Sequence, residues 1–219
     1  MRKQKKRGKE MAYQWTRTLR NGMSGNDVRE LQIRVAGYAA ATSSRTHITV
    51  DGQFGPATEG AVRRFQASYN LSADGVAGPQ THTALNNLEA ADGSTRHFNW
   101  SEFHSRDGSR FSGGAVSATQ VQENVRRLMY KLEAKRRKLG NIPLTINSGF
   151  RSRSHNSSVG GASNSQHLYG SAADVSSSTT PTRKANTART CGFSGIIIYQ
   201  TFTHVDSRAE TTGGGYYWP

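Results

Sequence analysis

Residues 165–175 read Ser-Gln-His-Leu-Tyr-Gly-Ser-Ala-Ala-Asp-Val, and a second fragment, Phe-Thr-His-Val-Asp, occupies residues 202–206. Together they contain His167, Asp174 and His204. Two histidines and an aspartate can supply the three protein ligands of a catalytic zinc ion, with the fourth position left for water or substrate. Such an ion lowers the pKa of its bound water toward about 7 and so supplies a nucleophile. A lone His and Asp at this spacing are common by chance, so the prediction depends on the whole ordered pattern.

The sequence around these fragments carries helix and strand signals. Residues 117–139 place apolar side chains on one helical stripe and predict the longest helix. A strand is predicted over residues 144–147, and the apolar run 196–199 precedes the second fragment. The C-terminal end of the long helix is rich in cations, where the helix dipole favours them: Lys131 and residues 135–138. Such a run is typical of a solvated face, and attraction to a polyanion is the alternative.

A further motif upstream completes the pattern. Gly-Phe-Arg-Ser at residues 149–152 precedes Ser-x-His-x-x-Gly-x-Ala-x-Asp and the distant His-x-Asp in a fixed order. This arrangement resembles the LAS-type zinc peptidases, a group that includes D-Ala-D-Ala carboxypeptidases and several cell-wall endopeptidases. The resemblance implies an α+β peptidase domain over residues 97–219, built on a central antiparallel sheet.

The resemblance also assigns roles to individual residues. It implies that His167, Asp174 and His204 are the zinc ligands. Arg151 matches an arginine expected to hold the substrate carboxylate or its carbonyl. A guanidinium group suits this task because its two parallel N–H donors match a carboxylate, and it would also stabilise an oxyanion that develops during the reaction. A structural ion pair is the alternative for Arg151. Ser165, within the same motif, is a candidate substrate-binding residue.

The general base is the point at which this sequence departs from the family. The resemblance implies an acid three residues before the last ligand, but Thr201 stands there, and the next position holds Phe202. Neither side chain abstracts a proton at neutral pH. Asp206 follows His204 by two positions and would face the same side of a strand. Two roles for Asp206 stay open: it is the base that deprotonates the water, or it orients His204.

An internal repeat marks the N-terminal part of the chain. Asp-Gly-x-x-Gly-Pro-x-Thr occurs at residues 51–58 and again at 74–81. Asp-Gly favours a turn, and proline suits the first turn of a helix, so each copy predicts a turn that leads into a helix. Two copies at helix starts resemble the peptidoglycan-binding domain of bacterial cell-wall hydrolases. We therefore predict a small three-helix domain over residues 20–89, followed by a linker at 90–96.

Composition narrows the class of protein further. The chain has 219 residues, a formal net charge of +14 and one cysteine. No apolar run approaches the ~18 residues of a membrane span, and the lone Cys191 excludes a disulfide scaffold. Residues 1–19 are predicted to be a basic tail, and the apolar segment of a secretion signal does not follow its charges. The export route is therefore open.

These observations predict a zinc-dependent hydrolase of bacterial peptidoglycan, acting at the cell wall as a monomer. It would cleave a peptide bond in the stem or cross-bridge peptide, as a D-Ala-D-Ala carboxypeptidase or a DD-endopeptidase, from a host or a phage-type endolysin. The missing acid at Thr201 keeps a second hypothesis open, a peptidoglycan-binding protein without activity. Net charge alone suggests nucleic acid, but the sequence contains no nucleic-acid-binding motif, so we do not expect that partner.

Overall fold

The computed structural model describes residues 13–219, so most of the predicted basic tail lies outside the described residues. The α-helices of the described part are α1 Asn26–Val35, α2 Pro56–Ser68, α3 Pro79–Asn86, α4 Ala118–Lys138, α5 Arg153–Ser158, α6 Pro181–Ala188 and α7 Arg208–Thr211. The strands are β1 Thr145–Ser148, β2 Ala172–Ser176, β3 Gly195–Ile198 and β4 Thr203–Asp206. Short 3-10 helices cover Ala36–Tyr38, Trp100–Phe103 and Gln166–Tyr169.

The second copy of the repeat forms a turn that a buried glutamine holds together. The amide of Gln66, on α2, donates to the carboxylate of Asp74 at 2.8 Å and to the hydroxyl of Thr81 at 3.1 Å. Its carbonyl oxygen accepts from the backbone N–H of Gly75 at 2.9 Å. Gly75 has a φ of 76°, a left-handed conformation that favours glycine.

The first copy repeats this arrangement. Gln32, on α1, donates to Asp51 at 2.8 Å and to Thr58 at 3.2 Å, and it accepts from the backbone N–H of Gly52 at 2.8 Å. Gly52 also has a φ of 76°. The Asp, Gly and Thr of each copy thus join the turn to the preceding helix, and their main role is to build the fold.

The four strands form one antiparallel sheet in the order β1-β2-β4-β3. The predicted α+β class and central antiparallel sheet are therefore confirmed. In the register of the two central strands, Asp174 of β2 lies opposite His204 of β4. Asp206, at the end of β4, lies opposite Ala172 on one side and Gly195 on the other. The sheet alone therefore brings two of the predicted metal ligands together.

Helix α4 lies between the N-terminal three-helix module and the sheet domain, and it contacts both. On one side it packs against α1 and the 3-10 turn at 36–38, and on the other against α6 and β2. Glu30 of α1 pairs with both Arg34 and Arg126, and Arg126 belongs to α4. Arg137 of α4 donates to the backbone oxygen of Ser68 at 2.6 Å. The two modules therefore share one continuous core.

The cations at the end of α4 do not form one solvated face, contrary to the prediction: Lys131 and Lys135 are buried, whereas residues 136–138 stay partly exposed. Lys131 is buried and donates to the backbone oxygen of Gly192 at 3.0 Å and the hydroxyl of Ser207 at 2.9 Å, and it pairs with Glu210. Lys138 donates to backbone oxygens from both modules. Segments of both modules that are distant in sequence cover these side chains, which the pattern of α4 alone cannot reveal.

Lys135 occupies the centre of this buried face. Its side chain is fully buried, and its Nζ atom has no hydrogen-bond partner among the described residues. Burial lowers its pKa to about 7, because transfer from water disfavours the charged ammonium group. Cys191, the single cysteine, is buried nearby.

The segment predicted as a linker is folded. Within residues 90–96, the backbone N–H of Ala90 donates to the carbonyl of Ser94 at 2.9 Å, and Ser94 and Thr95 are both buried. Among residues 13–219, no helix has both the length and the apolar character that a bilayer span requires.

Candidate metal centre and active-site cleft

The three predicted ligands converge in the structure. His167 lies on the 3-10 helix Gln166–Tyr169, whereas Asp174 and His204 face each other across β2 and β4. One candidate ligand atom from each of these buried residues lies within 4.8 Å of the other two. Ser165 caps the 3-10 helix, since its hydroxyl accepts from the backbone N–H of His167 at 3.4 Å, and it also lines the cleft.

Each histidine has one ring nitrogen held by an outer partner and one ring nitrogen that faces Asp174. Nδ1 of His167 donates to the carbonyl of Gly149 at 2.6 Å, and Nε2 of His204 donates to the carboxylate of Asp206 at 3.0 Å. In a neutral imidazole whose N–H points to the outer partner, the nitrogen that faces Asp174 would carry the lone pair that binds a metal. Those nitrogens lie 3.4 Å (His167 Nε2) and 2.9 Å (His204 Nδ1) from Oδ1 of Asp174. Two nitrogens and one carboxylate oxygen with fixed outer partners fit zinc.

The charges of the site favour a metal cation. Burial alone would raise the pKa of Asp174, but hydrogen bonds from His167 and His204 hold the pKa well below its usual range. Burial would lower the pKa of His204, but the carboxylates of Asp174 and Asp206 raise it above its ordinary value. The site therefore keeps Asp174 ionised and attracts positive charge, which a zinc ion would supply in place of a proton.

Arg151 lies beside this centre, on the wall of the cleft. Its guanidinium donates from one terminal nitrogen to Oδ2 of Asp174 at 2.8 Å, and its Nε donates to the hydroxyl of Ser148 at 2.9 Å. These contacts fix the plane of the guanidinium and leave the rest of it facing the cleft, where its side chain is 16% exposed. Arg151 is thus placed where it can contact a bound substrate.

Asp206 lies on the far side of His204 from the cleft. Its carboxylate is fully buried, and it is not among the residues that line the cleft. Arg208 donates to both of its oxygens, at 3.0 Å from Nε to Oδ1 and 2.6 Å from a terminal nitrogen to Oδ2. Burial would raise the pKa of Asp206, but hydrogen bonds from His204 and Arg208 hold it well below its usual range.

Gly195 makes room for this carboxylate. A Cβ atom at position 195 would lie 2.0 Å from Oδ2 of Asp206, so any other residue would displace the acid. Neither Gly195 nor Arg208 was predicted as a site residue. Their roles depend on the register of β3 and β4, and no local motif signals them.

The cleft in front of the three ligands has a volume of about 700 Å³. One wall carries the rings of Tyr199 and Phe202, which stack with centroids 4.4 Å apart. Thr201 lies in the turn between these two residues and is exposed. Among the described residues, Asp174 is the one carboxylate that lines the cleft, so no second acid of residues 13–219 replaces the one that the family pattern has at position 201.

The fold and this site together define a metallopeptidase. Comparison with known proteins agrees: a family model described as Peptidase M15 matches residues 96–206, and one described as a putative peptidoglycan binding domain matches residues 24–85. The chain therefore belongs to peptidase family M15 and carries a peptidoglycan-binding domain. The predicted enzyme class, a zinc metallopeptidase, is confirmed by this match and by the donor set.

Individual proteins match this chain over different lengths. A zinc D-Ala-D-Ala carboxypeptidase of Streptomyces albus G is 44% identical over 207 residues, covering 94% of this chain and 80% of that protein. The N-acetylmuramoyl-L-alanine amidase CwlM of Mycobacterium tuberculosis is 34% identical over 112 residues, covering 51% of this chain and 22% of that one. A solved structure of a fused Zn-dependent amidase/peptidase/peptidoglycan-binding domain-containing protein from Clostridium acetobutylicum is 30% identical, covers 49% of this chain and 44% of that chain, and aligns with a TM-score of 0.29.

Proposed function

We propose that this protein is a zinc D-Ala-D-Ala carboxypeptidase that acts on the stem peptides of bacterial peptidoglycan. The observation that carries the proposal is the convergence of Nε2 of His167, Oδ1 of Asp174 and Nδ1 of His204 at the base of an open cleft. The 44% identity to a carboxypeptidase of that name extends across both modules and supports the same substrate.

The residues around the metal site would divide the work as follows. A bound zinc ion supplies an activated water and polarises the carbonyl that is attacked. Arg151 binds the terminal carboxylate or the carbonyl oxygen of the substrate, because its guanidinium is already held in one plane by Asp174 and Ser148. Ser165 shapes the same wall by capping the helix that presents His167.

We assign Asp206 a positioning role rather than that of the general base. Its carboxylate contacts the ring nitrogen of His204 that points away from Asp174, and Arg208 occupies both of its oxygens. A base must reach the proton that it removes, directly or through one water. Buried behind His204, Asp206 instead fixes the tautomer that leaves Nδ1 free for the metal.

DD-endopeptidase activity is the second candidate, because the cleft is larger than a terminal dipeptide requires. Its volume of about 700 Å³ falls in the range that accommodates drug-sized ligands. A cross-linked peptide could therefore enter it as well as a free stem terminus. We further propose that the protein acts at the cell wall as a monomer. Large exposed hydrophobic side chains are few in the described part, and two of them, Val159 and Tyr199, line the cleft.

The test is digestion of two substrates by the zinc-loaded protein, with products identified by mass spectrometry. A soluble pentapeptide ending in D-Ala-D-Ala should lose one alanine, whereas cleavage of purified cross-linked muropeptide dimers would indicate the endopeptidase. His204→Ala should lose both zinc and activity. If the wild type binds zinc stoichiometrically and cleaves neither substrate, the proposal fails and an inactive peptidoglycan-binding protein is the better description.

A further inference from the structure

A second cavity lies where the two modules meet, lined by none of the residues of the catalytic cleft. It has a volume of about 490 Å³. The first module contributes Tyr69 and Asn87 to its lining, and the second contributes Arg96, Glu133 and Arg136. Because both modules build it, this interdomain groove exists only in the assembled chain.

The groove carries positive charge that the protein does not neutralise. Arg96 is exposed, and within residues 13–219 its guanidinium takes part in no hydrogen bond, ion pair or cation–π contact. The side chain of Arg136 makes one long hydrogen bond, 3.3 Å to the amide oxygen of Asn141, which carries no charge. Free guanidinium groups of this kind bind carboxylates and phosphates through paired hydrogen bonds.

The acid that lines the groove, Glu133, is already occupied. Both of its oxygens accept from His97, one from the backbone N–H at 2.8 Å and one from the ring nitrogen Nδ1 at 2.8 Å. The side chain of Glu133 is 2% exposed, so it offers little to a ligand. Arg137 adds a third cation, held in place by the carbonyl of Ser68 and by the ring of Tyr69 at 4.8 Å.

We propose that this interdomain groove binds an anionic group of the cell-wall polymer, a carboxylate or a phosphodiester, through Arg96 and Arg136. The proposal rests on the proposed function, which makes the wall the partner of this chain. The consequence is that the catalytic domain supplies the charged part of the wall-binding surface, while the peptidoglycan-binding module supplies Tyr69 and Asn87. Arg96 and Arg136 both lie outside the module that the family model assigns to peptidoglycan binding.

The test is co-sedimentation of the full-length protein with purified sacculi over a range of salt concentrations. Arg96→Glu/Arg136→Glu should weaken binding about tenfold at low salt, and salt should affect its residual binding less, because screening acts on the charges removed. The matched control is Arg153→Glu/Arg183→Glu, which changes two exposed arginines of the catalytic domain outside the groove and leaves the same net charge. The control should bind within about twofold of the wild type.

Two sources of the anion can be separated with sacculi treated with hydrofluoric acid, which removes phosphodiester polymers. A difference between the two double variants that disappears after treatment assigns the groove to phosphodiesters, and a difference that persists assigns it to stem-peptide carboxylates. Equal losses in the two double variants, or no loss in either, would overturn the proposal. Hydrolysis of the soluble pentapeptide is measured in parallel. If the wild type does not cleave the pentapeptide but the two double variants still differ in binding to sacculi, the proposed activity is wrong and the proposed anion site in the groove is supported.

Discussion

Oδ2 of Asp206 lies 3.0 Å from Nε2 of His204, on the opposite side of the ring from the Nδ1 atom that faces Asp174. If the role of Asp206 is to hold this ring, removal of its carboxylate should lower zinc affinity more than it lowers kcat. We expect Asp206→Asn to weaken zinc affinity about 10–100-fold while the zinc-saturated enzyme keeps most of its kcat. Competition with a chelator measures the affinity. Unchanged zinc affinity with a kcat reduced more than about 100-fold would assign Asp206 as the base instead.

Arg208 should act through Asp206. Its guanidinium donates to both oxygens of that buried carboxylate, so Arg208→Met leaves the acid with His204 as its main partner. We expect weaker zinc binding and a lower Tm for the apoprotein, because an underpaired buried carboxylate is destabilising. Arg153→Met, on the exposed start of α5, is the matched control and should change neither value. Equal behaviour of the two variants would exclude a positioning role for Arg208.

Arg151 should contribute to substrate binding and to stabilisation of the transition state. Arg151→Lys keeps the charge but removes the planar fork, so we expect kcat/KM on the pentapeptide to fall about 100-fold, comparable to the loss of one oxyanion-stabilising donor. Zinc affinity should change far less, since an ammonium group still faces Asp174. An unchanged kcat/KM would leave Arg151 as a structural partner of Asp174 alone.

The lack of a second acid among the described residues that line the cleft should limit the rate. Thr201 is exposed in the turn between Tyr199 and Phe202, both of which line the cleft. We expect Thr201→Asp to raise kcat about tenfold or more, because general-base catalysis contributes about 10²–10⁴-fold where it operates. Thr201→Asn has nearly the same shape without the acid and should show no gain. If both variants match the wild type, an acid at this position does not reach the reacting atoms.

Lys135 should make stability depend on pH. The unfolded chain binds a proton at this lysine up to a pKa near 10.5, whereas the folded chain loses it above a pKa of about 7. Between these values the unfolded state binds more protons, so stability rises with pH, by up to about 1.4 kcal/mol per pH unit. We expect Lys135→Met to be more stable than the wild type at pH 7 and to lose this part of the slope. Urea unfolding of both proteins at pH 7 and pH 9 measures the difference. Equal slopes would show that Lys135 stays charged in the folded protein.

The sequence predicted those features of the fold and the site that local patterns encode. The repeat placed the starts of α2 and α3 correctly, because Asp-Gly turns and proline at a helix start are short-range signals. The ordered motifs that contain His167, Asp174 and His204, together with a family resemblance, were enough to predict the three metal ligands as one group. Buried glutamines such as Gln66 were missed, because their distance from the repeat differs between the two copies.

What the sequence could not show depends on contacts between distant segments. The lysines of α4 have the same spacing whether water or a distant segment of the chain covers them, so the burial of Lys131 and Lys135 was not predictable from spacing. The two roles of Asp206 were also inseparable, because strand alternation fixes the side of the sheet but not the order of side chains along that side. The register against Gly195 and the contact with Arg208 support the positioning role that we propose for Asp206.

The shared core around α4 has a mechanical consequence for an enzyme that works on a solid polymer. A catalytic domain on a flexible linker could reach every bond within the length of that linker. Here Arg126, Arg137 and Lys138 fasten α4 to the first module, and the segment between the modules is folded. Once the first module is bound to a glycan strand of the wall, the cleft therefore faces the wall at one fixed angle and one fixed distance. Bonds outside the reach of the cleft become accessible only when the whole protein dissociates from the wall and binds again elsewhere.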